Sequence, residues 1–470
     1  MKVYKQFLYM KNYIIAKHSV KQFNDKYFLT TDMGRSCTLT EKEYNFFRKE
    51  YFNKETEKKL LYAGVILSNT NIQECIDVTN KREDVIFAGT SLHIIVVTLR
   101  CNMSCKYCQV GRQYYDKGSE YDMSIETARH TVDRIFETPN DDIIIELQGG
   151  EPTLNWDTLK FIVEYSKKKK EETGKNSEIT MVTNMSTMTE ERMNYLIDCN
   201  VDVCTSLDGP AIVHNFNRKY NKDNHSEVIK WIHKFNEEYK TREMDTRMSA
   251  LVTLTRESLK YPKEIIQQYI DLNIEVIHLR RLTKLGFAKI MWDKISYTTE
   301  EYLKFWLDAV EYIYKLQQEG KYINERMVLM MEEKIREDKD INYFDLRNPC
   351  GAGIGQLAYN YDGNVYSCDE ARMIKKDIFK LGNVKTNKYM DFIKNKKCAA
   401  LVQASTLNQF KCCNECVYSP YCGICPVLNY EYDGKLTVIP TETDMCKIQK
   451  TQFDWVVKRY FLRLKMRTFI

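Results

Sequence analysis

Six apolar runs punctuate residues 92–282: LHIIVVTL (92–99), DIIIEL (142–147), EITMVT (178–183), VDVCTSL (201–207), RMSALVTL (247–254) and EVIHLRRL (275–282). Helical periodicity fills the gaps, in SIETARHTVDRIFE after Ser124, NWDTLKFIVEYSKKKK, MTEERMNYLIDC, SEVIKWIHKFNEEY and PKEIIQQYIDL. Continuous apolar runs alternating with helices are the pattern of a parallel sheet, because each strand is covered on both faces and each crossover requires a helix. The prediction is an α/β fold curled as a partial (β/α)6 TIM-like barrel over residues 89–295. Chemistry in such folds gathers at the carboxyl ends of the strands. Residues 101–108, 149–151 and 206–208 occupy those ends.

The flanking segments differ in texture. Residues 1–88 read as a small α+β domain, in which FLTTDMGRSCTLTEKEYNFFRK predicts a strand, a turn at Gly34, a short strand and a helix capped near Thr40. Residues 296–347 read as a polar helical bridge, and 451–470 as a basic helix. Between them, 348–450 turn to short strands, tight turns and cysteines, with LAYNYDGNVYS (357–367) predicting a hairpin that turns at Asp362 and Gly363. So loop-rich a segment has little core and needs metal to fold.

A chain of 470 residues exceeds what one core supports. Hydrophobic residues at 43% and charged residues at 29% exclude a disordered or collagen-like chain. The net charge of +5 comes from basic residues spread along the chain, so no nucleic-acid partner is expected. The opening residues lack the apolar core and cleavage site of a signal peptide. No run of about eighteen apolar residues occurs, so no membrane span is expected. Sixteen cysteines without an export signal point to a reduced, cytoplasmic protein using thiols for metal or redox chemistry.

Those cysteines cluster. CNMSCKYC places Cys101, Cys105 and Cys108 on one loop after the first strand. Zinc sites take four ligands, and no fourth lies nearby. Three thiolates suit a 4Fe-4S cubane with one iron left open, while a three-thiol zinc site or three core cysteines are the alternatives. The second group is Cys350, Cys368, Cys412, Cys413, Cys416, Cys422, Cys425 and Cys446. Spacing alone reads this set equally as zinc knuckles. Cys37, Cys75, Cys199, Cys204 and Cys398 read as core or surface thiols.

The first loop resembles that of the radical S-adenosylmethionine (SAM) enzymes, Cys-x3-Cys-x2-Cys with an aromatic residue before the last cysteine; Cys101, Cys105, Tyr107 and Cys108 match it throughout. The resemblance implies a 4Fe-4S cluster whose open iron chelates SAM, and one-electron cleavage to a 5'-deoxyadenosyl radical that abstracts hydrogen from the substrate. By the same resemblance Gly149, Gly150 and Glu151 of GGEP meet the amino group of SAM, Ser206 and Arg218 hold SAM, Asp208 orders the loop, and Asn184 serves the ribose or carboxylate.

The C-terminal cysteines resemble the SPASM domain, which carries two auxiliary 4Fe-4S clusters, for three clusters in all. Carried across by position, Cys413, Cys416, Cys422 and Cys446 hold the outer cluster, and Cys350, Cys368 and Cys425 the inner one. GAGIGQ lacks the further cysteine that the family often supplies, which leaves the inner cluster with an open or non-cysteine site, or with Cys412 recruited to it. Asp369, directly after Cys368, resembles the proposed catalytic base of anaerobic sulfatase-maturing enzymes.

Over nearly its whole length the chain is similar to the HxsB maturases of His-Xaa-Ser peptide systems, through FLTTDMG, LRCNMSCKYCQVGRQ, LQGGEPTLNW, SLDGP and CGAGIGQLAYNYDGNVYSCDEARM. That similarity implies an oxidoreductase-type enzyme acting on a ribosomally made precursor peptide. It also implies a reducing donor such as flavodoxin or ferredoxin, and a second radical SAM maturase alongside. The N-terminal domain resembles the winged-helix element that binds a leader peptide as an added strand. A formylglycine-forming sulfatase maturase is the alternative enzyme, and a non-catalytic zinc-stabilised peptide-binding module the alternative of another class.

Overall fold

All six apolar runs contribute strands, and these lie parallel and hydrogen-bonded in chain order: β1 (Leu92–Thr98), β2 (Asp142–Gly149), β3 (Asn176–Thr183), β4 (Val201–Ser206), β5 (Ser249–Thr253) and β6 (Leu279–Arg280). The computed structural model describes residues 8–9, 13–114, 116–219, 223–374 and 377–467. From His93 to Thr98, β1 is buried on both faces, as its unbroken apolar run requires. On β2 the burial alternates. Ile143, Ile145 and Leu147 are buried, while Ile144, Glu146 and Gln148 share the opposite, more open face.

The crossovers form where local chemistry starts and stops them. Ser124 caps the helix Ile125–Phe136 by accepting the Thr127 N–H at 3.1 Å, and the helix buries Ala128, Val132 and Ile135. The helix Trp156–Thr173 buries Leu159, Ile162 and Val163 and ends at Gly174, whose φ of 71° suits a residue without a Cβ.

The sixth run departs from a continuous strand. His278 O accepts the Arg280 N–H at 2.7 Å, a three-residue turn that breaks the ladder. Val276–Ile277 pairs with Asn324–Glu325, and Leu279–Arg280 with β5.

Three strands from later in the chain extend the sheet beyond β1. β7 (Gln356–Tyr359) runs parallel to β1, and β8 (Asn364–Tyr366) and β9 (Lys380–Asn383) follow antiparallel. The order is β6-β5-β4-β3-β2-β1-β7-β8-β9, and the ladder does not close. The hairpin turns where expected: Gly363, at φ 83°, donates its N–H to Asn360 O at 2.8 Å. Residues 88–326 and 352–400 make up this compact unit.

A second unit gathers residues 1–87, 327–351 and 401–470. Its N-terminal part is a three-stranded antiparallel sheet of His18–Phe23, Lys26–Thr31 and Ser36–Thr40. A capping box between Thr40 and Glu43 then starts the helix Glu41–Phe47. Leu29, Leu39, Phe47, Phe52, Leu60 and Ile66 form its core. Within the unit, Arg35 grips Asp338 through two bonds of 2.7 and 2.6 Å, and Thr30 Oγ1 donates to Val417 O at 2.9 Å. No described helix is long and apolar enough to cross a membrane.

Candidate active site

The cysteine loop is pinned at several points as it leaves β1. Arg100–Cys101 pairs in parallel with Gln113–Tyr114, and Ser104–Cys105 pairs antiparallel with Arg218–Lys219. Arg100 anchors the entry through Asp122 at 2.8 and 2.6 Å. The far end is held by the Phe287 N–H, which donates to Cys108 O at 2.8 Å. The helix Gly286–Ile295 begins there, and a Cβ on Gly286 would fall 2.3 Å from Gln109 O. Three flexible thiols therefore sit on a fixed backbone.

Behind the loop lies a buried polar knot. Tyr107 donates its hydroxyl to the Asp208 carboxylate at 2.8 and 2.9 Å and accepts from Arg218 Nη1 at 3.1 Å. The Thr253 N–H adds a bond of 3.2 Å to Asp208. The aromatic residue of the motif thus orients the arginine that faces the cavity. Charge-assisted bonds in a dry site hold such a geometry more firmly than neutral ones.

The strand end at GGEP is a close approach of two backbones. A Cβ on Gly149 would stand 2.1 Å from Thr98 O, and one on Gly150 2.2 Å from Arg100 O. The Gly150 and Glu151 N–H groups donate to those same carbonyls, each at 2.8 Å. Glu151 is fully buried and accepts from Thr183 Oγ1, the Asn184 N–H and Thr153. Its carboxylate fastens the end of β2 to the end of β3. Asn184 turns the other way, its Nδ2 donating to Asn102 Oδ1 at 3.1 Å and lying 3.8 Å from Cys101 Sγ.

A solvent-open cavity unites these parts. Cys101, Cys105, Tyr107, Cys108, Gly149, Gly150, Asn184, Ser206, Arg218 and Asp369 line it. Of the residues expected around SAM, Asp208 and Glu151 are fully buried and absent from the lining. Asp369 receives Gln148 Nε2 at 2.8 Å and Arg372 Nε at 2.7 Å, both on Oδ1.

The donor set fits an iron-sulfur cluster and a carboxylate-bearing ligand. Burial pushes the Cys101 thiol up to about 12 and raises that of Cys105, against which Arg218 and Arg112 act. Thiols so placed ionise when a metal binds them. The buried Nε atoms of Arg218 and Arg112 have no partner among the described residues, so cationic donors await an anion.

Four residues near the cavity escaped the sequence reading. Gln148, Arg280 and Arg112 line it, and Glu146 shares the Gln148 face of β2. Burial, Asp369 and Glu370 push Glu146 up to about 7 against the pull of Arg280 and Arg326. The available signal was position: a charged residue inside an apolar strand, and an arginine at a strand's carboxyl end.

In the other unit, Cys412, Cys413, Cys416, Cys422 and Cys446 line one small, narrow pocket. Cys422 Sγ lies 3.0 Å from Gln449 Oε1, and Lys450 also lines the space. Cys412 thus lines the same space as the four thiols expected of the outer cluster. Cys425 caps the helix Pro426–Asp433, its Sγ accepting the Leu428 N–H at 3.4 Å. Cys350 is buried, with its N–H on Ser405 Oγ at 3.0 Å. Of the expected inner ligands, Cys350 and Cys425 belong to this unit and the buried Cys368 to the sheet unit. Among the described residues no three His, Cys, Asp or Glu side chains are grouped as ligands of a single metal ion.

Residues 95–291 match the Radical SAM superfamily, and residues 350–417 match SPASM, an iron-sulfur cluster-binding domain. The chain carries a radical SAM domain and a SPASM domain. The cysteine loop and strand ends described above fall within the radical SAM match, and Cys350, Cys368, Cys412, Cys413 and Cys416 within the SPASM match.

The radical SAM cyclopropyl synthase TigE of Paramaledivibacter caminithermalis is 25% identical over 211 residues, 41% of this chain and 44% of that protein. The chain therefore spans less than half the length of that relative. The cysteine-type anaerobic sulfatase-maturating enzyme of Clostridium perfringens is 24% identical over 325 residues, 65% of this chain and 82% of that enzyme. In fold, the chain resembles Streptococcus suis SuiB bound to precursor peptide SuiA, with a TM-score of 0.55 at 16% identity, covering 92% of this chain and 99% of that one.

Proposed function

We propose that this protein reductively cleaves SAM to a 5'-deoxyadenosyl radical and uses it to modify oxidatively, or crosslink, a ribosomally made precursor peptide of the His-Xaa-Ser type. The observation that carries this reading is the convergence of Cys101, Cys105 and Cys108 with Gly149, Asn184, Ser206 and Arg218 on one cavity at the carboxyl ends of parallel strands. When bound on the three thiolates, a 4Fe-4S cluster supplies one electron to the sulfonium of SAM.

The chain's own residues do the rest. Gly149 and Gly150 keep side chains out of the strand crossing where a ligand approaches. Arg218, fixed by Tyr107, offers charge to the SAM carboxylate, and Asn184 and Ser206 offer polar contacts along its ribose and carboxylate. Asp208 and Glu151 act from behind, holding Tyr107 and the Asn184 backbone. Among the described residues both donors to Asp369 sit on Oδ1, and Oδ2 would accept a proton from the oxidised substrate.

In this reading Cys413, Cys416, Cys422 and Cys446 hold an outer auxiliary cluster, and Cys350, Cys368 and Cys425 an inner one, for three clusters in all. A flavodoxin- or ferredoxin-type donor supplies electrons in the cytoplasm, and a second radical SAM maturase acts on the same peptide. Residues 1–88 act as the leader-binding domain; His18–Phe23 and Ser36–Thr40 are the edge strands of their three-stranded sheet, where a peptide strand would add. A peptide substrate is supported by the likeness to SuiB, whose structure holds its precursor peptide. The second reading, formylglycine formation on a protein, is favoured by Asp369 directly after Cys368 and by the sulfatase-maturating relative.

The test is anaerobic reconstitution followed by iron and sulfide counts, then dithionite and SAM with chromatography for 5'-deoxyadenosine. About twelve irons per chain and 5'-deoxyadenosine are expected. Zinc without iron, and no cleavage, would refute the proposal and favour the zinc-stabilised binding module.

A further inference from the structure

A buried cation sits beside the cysteine loop, and the proposed reaction gives it no task. Arg112 is only 9% exposed and lines the same cavity as the three thiols. Its guanidinium lies 4.9 Å from the Tyr114 ring centroid and 5.0 Å from that of Phe287. Nη2 donates to Ser104 Oγ at 3.1 Å, one residue before Cys105. Phe287 is itself tied to the loop through its N–H on Cys108 O at 2.8 Å. The planar group is thus fixed next to the loop, and these three contacts are all with neutral groups.

Two costs remain unexplained by those neighbours. Nε has no hydrogen-bond partner among the described residues. A buried charge and a buried unsatisfied donor are both destabilising, and side chains keep such features where something offsets them. What lies beside it in the cavity is the thiol loop itself, since Ser104, which takes Nη2, directly precedes Cys105 and all three thiols line the same space. A cluster on three thiolates is anionic, and reduction makes it more negative by one charge. A fixed cation with a free N–H therefore stabilises the reduced state more than the oxidised one, and hydrogen bonds to cluster sulfurs act in the same direction.

We propose that Arg112 is the counter-cation of the SAM-binding cluster, directed at its Cys105 edge, and that it raises the reduction potential enough for a physiological donor to fill the cluster. The proposal rests on the radical SAM reading above. Lysine would keep the charge but lose the planar stack between Tyr114 and Phe287.

The experiment is a redox titration of the full-length reconstituted protein without SAM, followed by electron paramagnetic resonance. The relevant signal is the one that changes when SAM is then added to a reduced sample. In Arg112→Gln that signal should titrate at more negative potential, by at least tenfold in the reduction equilibrium, or 59 mV for one electron, with iron content unchanged. Arg112→Lys should recover most of the shift. An unchanged midpoint in a fully loaded Arg112→Gln protein overturns the proposal, as does weakened SAM binding without a change in potential. Should Arg112→Gln fail to load iron, Ser104→Ala decides: releasing Nη2 should shift the midpoint in the same direction, and no shift overturns the proposal. A wild-type protein with no SAM-sensitive signal would instead refute the radical SAM reading itself.

Discussion

Replacing Glu146 by glutamine should stabilise the protein, and more so as the pH rises. Glu146 lies on the open face of β2 and is pushed up from 4.5 to about 7 by burial and by Asp369, against Arg280 and Arg326. A carboxyl with a raised folded-state value favours folding relative to its ionised form: its contribution is fully present below about 4.5 and is lost as the pH rises through about 7. The gap is worth about 3 kcal/mol at roughly 1.4 kcal/mol per pH unit, of which about two fifths is already incurred at pH 5.5. Water reaching this side of the sheet relieves part of the rest, so the advantage of Glu146→Gln should grow by about 1–2 kcal/mol between pH 5.5 and 8. In anaerobic thermal melts of the reconstituted proteins that is a widening Tm gap of a few degrees. A gap that stays flat with pH, or a glutamine variant less stable at pH 8, would refute the account of Glu146 as a strained, proton-holding group.

Cys105→Ala should abolish 5'-deoxyadenosine formation while iron bound by the C-terminal cysteines remains; cleavage at the wild-type rate would remove the loop from the reaction. The five thiols lining the C-terminal pocket make a separate prediction. Cys413→Ser should retain its outer iron because Cys412 stands beside it on the same cavity, and the double variant Cys412→Ser/Cys413→Ser should lose about four irons per chain. Iron counts decide this, and loss of the cluster in Cys413→Ser alone would show that Cys412 does not reach it.

Much of this arrangement was legible because its signals are local. The apolar runs located all six parallel strands, and Ser124 and Thr40 cap helices where side chains of that type should. Spacing alone brought Cys101, Cys105 and Cys108 together, since three residues so close along a loop are close in space. The break at His278 was hidden because a three-residue turn leaves the apolar run intact. His18–Phe23 was missed because HSVKQF is a polar strand at a sheet edge, without the alternation that marks a half-buried one. Arg112 appeared only as a loop residue, since burial of a cation depends on rings at 114 and 287 that no short pattern links. Glu146 looked like an interruption in DIIIEL, because its neighbours Asp369, Arg280 and Arg326 come from distant parts of the chain.

The pairing of β1 with β7 has a consequence for synthesis. β1 ends at Thr98, and its second neighbour begins at Gln356. A nascent chain therefore emerges with one flank of its first barrel strand unsatisfied through the making of more than half the protein. Exposed backbone of that kind recruits other strands, so the long interval is a window for aggregation, and contacts of such separation fold slowly. A fragment stopped after residue 295 would keep its cysteine loop and strand ends yet carry that open flank permanently. The cysteine-rich segment thus completes the sheet of the radical domain, and expression in pieces would forfeit more than the auxiliary iron.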